Sequence, residues 1–373
     1  LDVHPTKERG VSEWRSPVHY SDYLQLDQLL SCQRLESERH GAAVHDEMLF
    51  VIVHQAYELW FKQILWEMDA VLAIFRQPKV REREMGRAVS HLARIVEIQR
   101  LMLAQLDVLE TMTPLDFLDF REFLVPASGF QSVQFRLVEN KLGMVAGKRL
   151  RINDVPYTQR LPEAERQRVE ASEKEPSLFD VVHHWLERTP FLRFGEFDFW
   201  KEYRAAVDGV LAKDHAIIEA NTEPESEERK QILARHAATV RNFAELFEEN
   251  RAEDPAEVGR RFSLKARLAA LLINLYRDEP ILHLPFRLLT VLMDIDEGFT
   301  NWRYRHALMV MRMIGSKMGT GGSSGTEYLR QTAEQHKIFS DLISLSTYFL
   351  PRSALPTLPP EVVKTMSFQF TDG

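Results

Sequence analysis

Two apolar stripes, each interrupted by a histidine, limit what this chain can become. Leu288, Leu292, Ile295, Phe299, Trp302, His306, Met309 and Met313 recur at alternating intervals of four and three, the inward line of one long helix. Phe50, His54, Tyr57, Phe61, Ile64, Met68, Val71 and Phe75 repeat the rhythm and define a second. His306 and His54 each stand where the pattern calls for a hydrophobic side chain. An inward imidazole costs free energy unless something hydrogen-bonds or ligates it. Two such rings on separate helices point to something bound between them.

The same periodicity runs through most of the 373 residues, and with only 16 Gly and 17 Pro it predicts an all-α fold. A long helix spans Asp46 to about Phe75 and a second Met85 to Thr111, expected to be antiparallel neighbours. Thr113 caps a short helix with Pro114 at its first position, and Pro126 stops it. Helix resumes after Ser128 and fades at Gly143. Ser263 caps a segment running to Tyr276, a long helix follows from Pro285 to about Ile314, and a final helix follows Gly325. Between them, patches such as RLPEAERQRVEASEKEP and EPESEERKQ read as solvated surface. The expected organisation is one all-α unit over 1–373. Residues 1–40 form an N-terminal arm, 44–144 and 263–350 the core, 145–262 a charged helical insertion and 351–373 a tail. Trp60, Phe61, Trp66, Met309, Met311 and Met313 are read as core.

A formal net charge of −8 without a Lys/Arg cluster argues against a nucleic-acid partner. Cys32, the single cysteine, excludes a disulfide framework, a Cys-based zinc site and an iron–sulfur cluster held by this chain alone. It fits a reducing compartment. No run of about 18 apolar residues suggests a membrane span, and a cytoplasmic location is expected, although Leu1 points to a trimmed chain.

Arg121 lies four residues after Phe117, on one face of the short capped helix, where its fork suits a carboxylate. A salt bridge to Asp116, Asp119 or Glu122 is the commoner arrangement. The segment GTGGSSG, Gly319 to Gly325, precedes a helix and could receive an anion at the positive helix end, or serve as a flexible linker. Zinc would want three or four ligands, and no H-E-x-x-H spacing exists. His183 and His184 are adjacent and cannot converge on one ion; His40 and His45 flank a polar turn. Haem needs only one axial protein ligand and a large apolar slot. His54 and His306 could each also be a buried ring satisfied by backbone or acid neighbours.

Taken together, HDEMLFVIVHQAYELWFKQILWE, LETMTPLDFLDFREFLVPASGFQSVQFRL, NWRYRH and GSKMGTGGSSG resemble tryptophan 2,3-dioxygenases over about Tyr20 to Pro351, in the eukaryotic form if the charged insertion is the guide. The resemblance implies an all-α homotetramer with one b-type haem per chain, which adds both atoms of O2 across the indole C2=C3 bond of L-tryptophan. The product would be N-formyl-L-kynurenine, the first step of the kynurenine pathway. It implies that His306 is the axial haem ligand, with Trp302 and Ser128 beside the cofactor, and that His54 is the distal histidine near the indole N–H. Arg121 would grip the substrate carboxylate and Phe50 and Phe117 wall the indole, with Val51, Ile52 and Val53 beside it. Thr320 would hold the ammonium together with a haem carboxylate, its loop acting as a lid. Tyr20, Tyr23 and Leu24 would belong to an arm that completes a neighbouring subunit's site. Two other readings are an indoleamine dioxygenase, which tolerates more indoles, and a haem-dependent sensor or helical scaffold without turnover.

Overall fold

A computed structural model of the chain describes residues 17–150, 156–190, 192–248, 260–315, 317 and 325–366. The arm carries three short helices, α1 (Tyr20–Leu24), α2 (Leu26–Leu29) and α3 (Glu36–Arg39). Two long helices follow, α4 (His45–Phe75) and α5 (Glu82–Leu109), within a few residues of the expected bounds. They are antiparallel: the Tyr57 hydroxyl donates to the Met102 carbonyl at 2.6 Å, and Glu67 further along α4 accepts from Arg94 at 2.7 Å.

Next come α6 (Pro114–Arg121), α7 (Val133–Leu142), α8 (Glu163–Ser172), α9 (Leu178–Glu187), α10 (Phe199–Asn221) and α11 (Glu227–Glu248). After them are α12 (Leu264–Leu275), α13 (His283–Ile314), α14 (Gly325–Gln335), α15 (Ser340–Ser344) and α16 (Pro360–Met366). The helix after Gly325 is therefore not the last, because α15 and α16 follow it. A two-stranded antiparallel ribbon, β1 (Arg193–Phe194) with β2 (Phe197–Asp198), turns at Gly195, whose φ of 57° suits glycine.

α13 runs parallel to α5 and antiparallel to α4, which makes these three helices the frame of the molecule. Glycine sets the α5–α13 approach. A Cβ at Gly298 would meet Gln99 Oε1 at 2.5 Å, and Gln99 Nε2 donates to the Ile295 carbonyl at 2.9 Å. Both histidine-bearing stripes face inward: Tyr57, Phe61, Ile64, Met68, Val71 and Phe75 are buried, as are Leu288, Leu292, Ile295, Phe299, Met309 and Met313. The stripes meet each other, with the Tyr57 and Trp302 rings 5.9 Å apart. Two residues expected in the core are outside it. Trp66 is 73% exposed and Met311 50%, because each lies two residues from an inward neighbour and so is turned by about 200° to the far face.

The middle of the chain is more than a solvated insertion. Ser177 caps α9, and Leu178, Phe179, Val182 and Leu186 pack inward, while His183 accepts from the Ser263 backbone at 3.2 Å. The hydroxyl of buried Tyr203 in α10 donates to the Tyr348 carbonyl at 2.6 Å, tying this segment to the end of the chain.

Candidate functional site

The two histidines flank one cavity of about 640 Å³, mostly apolar, within the roughly 300–1,000 Å³ of small-molecule sites. α4 contributes Phe50, His54, Tyr57, Glu58 and Phe61; α13 contributes Trp302, Arg303, His306, Met309 and Met313; α6 closes one end with Phe117 and Arg121. α6 is fixed by its start. Thr113 Oγ1 accepts from the Asp116 backbone at 3.3 Å while Asp116 accepts from the Thr113 backbone at 2.9 Å, with Pro114 pre-set for the first turn. Asp116 is thus engaged in the cap. Phe117 and Arg121, one turn apart, both reach the cavity. Phe50 packs against Phe117 and Phe120 with ring centres 5.7 and 5.5 Å apart, an aromatic wall beside the guanidinium.

His54 stacks obliquely on Phe50 at 4.0 Å, and its Nδ1 bonds to the Phe50 carbonyl at 2.7 Å. A carbonyl only accepts, so Nδ1 carries the hydrogen and Nε2 is left with a lone pair. The ring is open to the cavity yet surrounded by protein. That burial lowers its pKa, against the Phe50 bond and nearby Glu58, which raise it. Glu58, one turn on, accepts from Ser132 Oγ at 2.6 Å and Gln134 Nε2 at 2.9 Å.

His306 sits beside Trp302, ring centres 5.5 Å apart, and neither of its nitrogens bonds to a described residue. Burial, and then the charge of His54 across the cavity, push its pKa down to about 4. It is therefore neutral at pH 7, with a lone pair free to ligate. Among the described residues no group of three or more His, Cys, Asp or Glu side chains is placed to hold a metal ion. A group needing one axial imidazole and a wide apolar slot, which haem is, suits these residues.

Ser128 lines the cavity and caps the turn Gly129–Gln131 through Phe130 N at 3.4 Å. Val51, Ile52 and Val53 do not reach the cavity. Successive helix residues turn by about 100°, so with Phe50 and His54 facing in, Val53 packs into the core and Ile52 faces outward, 48% exposed. Tyr20, Tyr23 and Leu24 are exposed and line no part of the cavity, whereas Leu29 and Cys32 of the same arm do. Thr320 and most of its loop lie outside the described residues.

A buried ionic cluster absent from the sequence expectations lies against the cavity. Glu139 of α7 accepts from Arg136 at 2.9 Å, from Arg149, and from Arg303 of α13 at 2.9 Å, with the His336 ring 3.4 Å away. Burial would raise this carboxyl, but Arg149, Arg136, His336 and Arg303 hold it well below the usual range. The i, i+3 spacing of Arg136 and Glu139 was a visible signal; their junction with Arg303, 164 residues away in sequence, was not.

Among the described residues no helix is long and apolar enough to cross a membrane. A family model described as tryptophan 2,3-dioxygenase matches residues 6–349. The tryptophan 2,3-dioxygenase of Bdellovibrio bacteriovorus is 51% identical over 355 residues, covering 95% of this chain and 99% of the relative. That of Dictyostelium discoideum is 47% identical over 356 residues (95% and 89%), and that of Xenopus laevis 48% over 348 (92% and 85%). A bacterial relative matched over nearly its whole length is thus as similar as the eukaryotic ones, so the charged middle segment does not separate the two groups.

Proposed function

The chain belongs to the tryptophan 2,3-dioxygenase family and is an oxidoreductase of the dioxygenase class, and from that premise we propose how its cavity is used. The reaction adds O2 across the indole C2=C3 bond of L-tryptophan to give N-formyl-L-kynurenine, the first step of tryptophan degradation. The observation that carries the site assignment is that two unlike imidazoles line one apolar cavity: His306 without a hydrogen bond to any described residue, and His54 with Nδ1 spent on the Phe50 carbonyl.

Between them a b-type haem, one per chain, would be held through its iron by His306, with Trp302 and Ser128 beside it, and would supply the iron chemistry that activates O2. The indole lies against Phe50 and Phe117, and His54 Nε2 accepts its N–H, which orients the ring without removing the proton. Arg121 takes the substrate carboxylate in two parallel bonds, and Thr320 contributes to the ammonium site. A substrate lacking either charged group would forfeit these charge-assisted bonds, which favours the free amino acid over other indoles.

A homotetramer belongs to the same proposal. Leu101 and Val108 on α5 and Leu308 and Met311 on the adjoining α13 are exposed apolar side chains available to a subunit contact. Tyr20, Tyr23 and Leu24 are exposed on the arm and available to complete a neighbouring site. A cytoplasmic location fits the free thiol of Cys32, which is exposed.

Hemin-loaded, reduced protein given L-tryptophan and isotopically labelled O2 should form N-formyl-L-kynurenine carrying two labelled oxygens. Hemin-replete protein that makes no such product would refute the proposal.

A further inference from the structure

The segment NWRYRH places two arginines around the turn that carries His306, and they point to opposite sides. Arg305, partly exposed, reaches outward to the end of α5 and bonds to mostly buried Glu110 at 2.7 Å and to exposed Asp107 at 2.6 Å. Arg303 is only 5% exposed and reaches inward, donating to Glu139 Oε1 at 2.9 Å and to the His336 carbonyl at 3.3 Å.

Charge balance does not require Arg303. Glu139 already holds Arg136 and Arg149, and burying a third guanidinium costs desolvation that an apolar side chain of similar length would avoid. What the third arginine adds is position. Seven residues earlier, two turns up the same face of α13, Asp296 accepts from Ile338 N at 3.0 Å and Phe339 N at 3.1 Å. On this inner side α13 is thus pinned to the segment 336–339 at two points and to α7 at one, which opposes local sliding and rotation of the helix. His306 lies about 4.5 Å along the axis from the lower pin.

We propose that Arg303 is a positioning residue for His306: by binding Glu139 and the His336 carbonyl it sets the depth and tilt of the imidazole in the cavity. The inference rests on His306 being the axial haem ligand. Arg303 also lines the cavity, but its hydrogen bonds go to Glu139 and the His336 carbonyl, so the role assigned to it is exerted through the helix that carries the ligand.

The test uses hemin-loaded protein and two measurements, the rate of hemin loss to an excess of a haem scavenger and the iron–imidazole stretching frequency of the reduced, ligand-free form. Arg303→Met should lose hemin about 10- to 100-fold faster, the usual cost of removing a partner that orients a ligand, and its stretching band should shift or broaden. Arg305→Met, which removes the link to α5 but leaves the inner bonds of Arg303, should lose hemin more slowly than Arg303→Met and keep the parental band. Arg303→Lys keeps the charge and one bond but cannot span both acceptors, so it should fall between, and it serves should the Met variant fail to fold.

Parental hemin loss and frequency in the Arg303 variants would overturn the inference. So would faster loss with an unshifted band in both, which marks general loosening. Failure of the underlying reading is distinct: hemin would then be retained by His306→Ala.

Discussion

Replacing His54 by alanine separates orientation from proton removal by the size of the loss. The ring's Nδ1 is committed to the Phe50 carbonyl at 2.7 Å, so only Nε2 can meet the indole N–H. One neutral hydrogen bond contributes about 1 kcal/mol net, roughly fivefold in kcat/KM. A general base would be worth about 10²- to 10⁴-fold. We therefore expect His54→Ala to keep measurable turnover, with kcat/KM for L-tryptophan down by no more than about tenfold. The parent should discriminate against 1-methyltryptophan, which has no N–H to donate, and the variant should lose most of that discrimination. The pH dependence follows from the same atom. Burial lowers the His54 pKa, so Nε2 stays unprotonated across neutrality and kcat/KM should be flat there. The fall should come on the acid side, below the ordinary 6.5, as protonation removes the acceptor. Steady-state kinetics at matched haem content measure all three. A loss beyond a hundredfold with haem intact would refute the orienting role and make His54 a base.

His306→Ala should fail to retain hemin, read from the Soret band after reconstitution; normal haem content would contradict the axial assignment. For Arg121→Met, two charge-assisted bonds at about 1.5–3 kcal/mol each predict at least a ~100-fold fall in kcat/KM, with the preference for tryptophan over tryptamine largely erased. If that preference survives, Arg121 does not read the carboxylate. Thr320→Ala should raise KM while hemin affinity stays parental, and unchanged kinetics would remove Thr320 from the ammonium site. Leu308→Glu, placing a charge on the bare face of α13, should shift the assembly towards smaller species by light scattering; an unaltered mass would exclude that face as a subunit contact.

What the amino-acid order determined by itself was local. A period of 3.6 residues decides which side chains share a helix face, so both histidine stripes, the Thr113–Pro114 and Ser263 caps and the all-α class were legible before any coordinates. The same rule places Trp66 and Met311 outside the core that their hydrophobicity predicts, because their angular positions turn them to the far face of their helices. Tertiary structure alone decided what lies across from what. Only packing α13 parallel to α5 and against α4 sets His306 opposite His54 and joins Arg303 to Glu139, because side chains on different helices meet through interhelical register, which no spacing within one helix encodes.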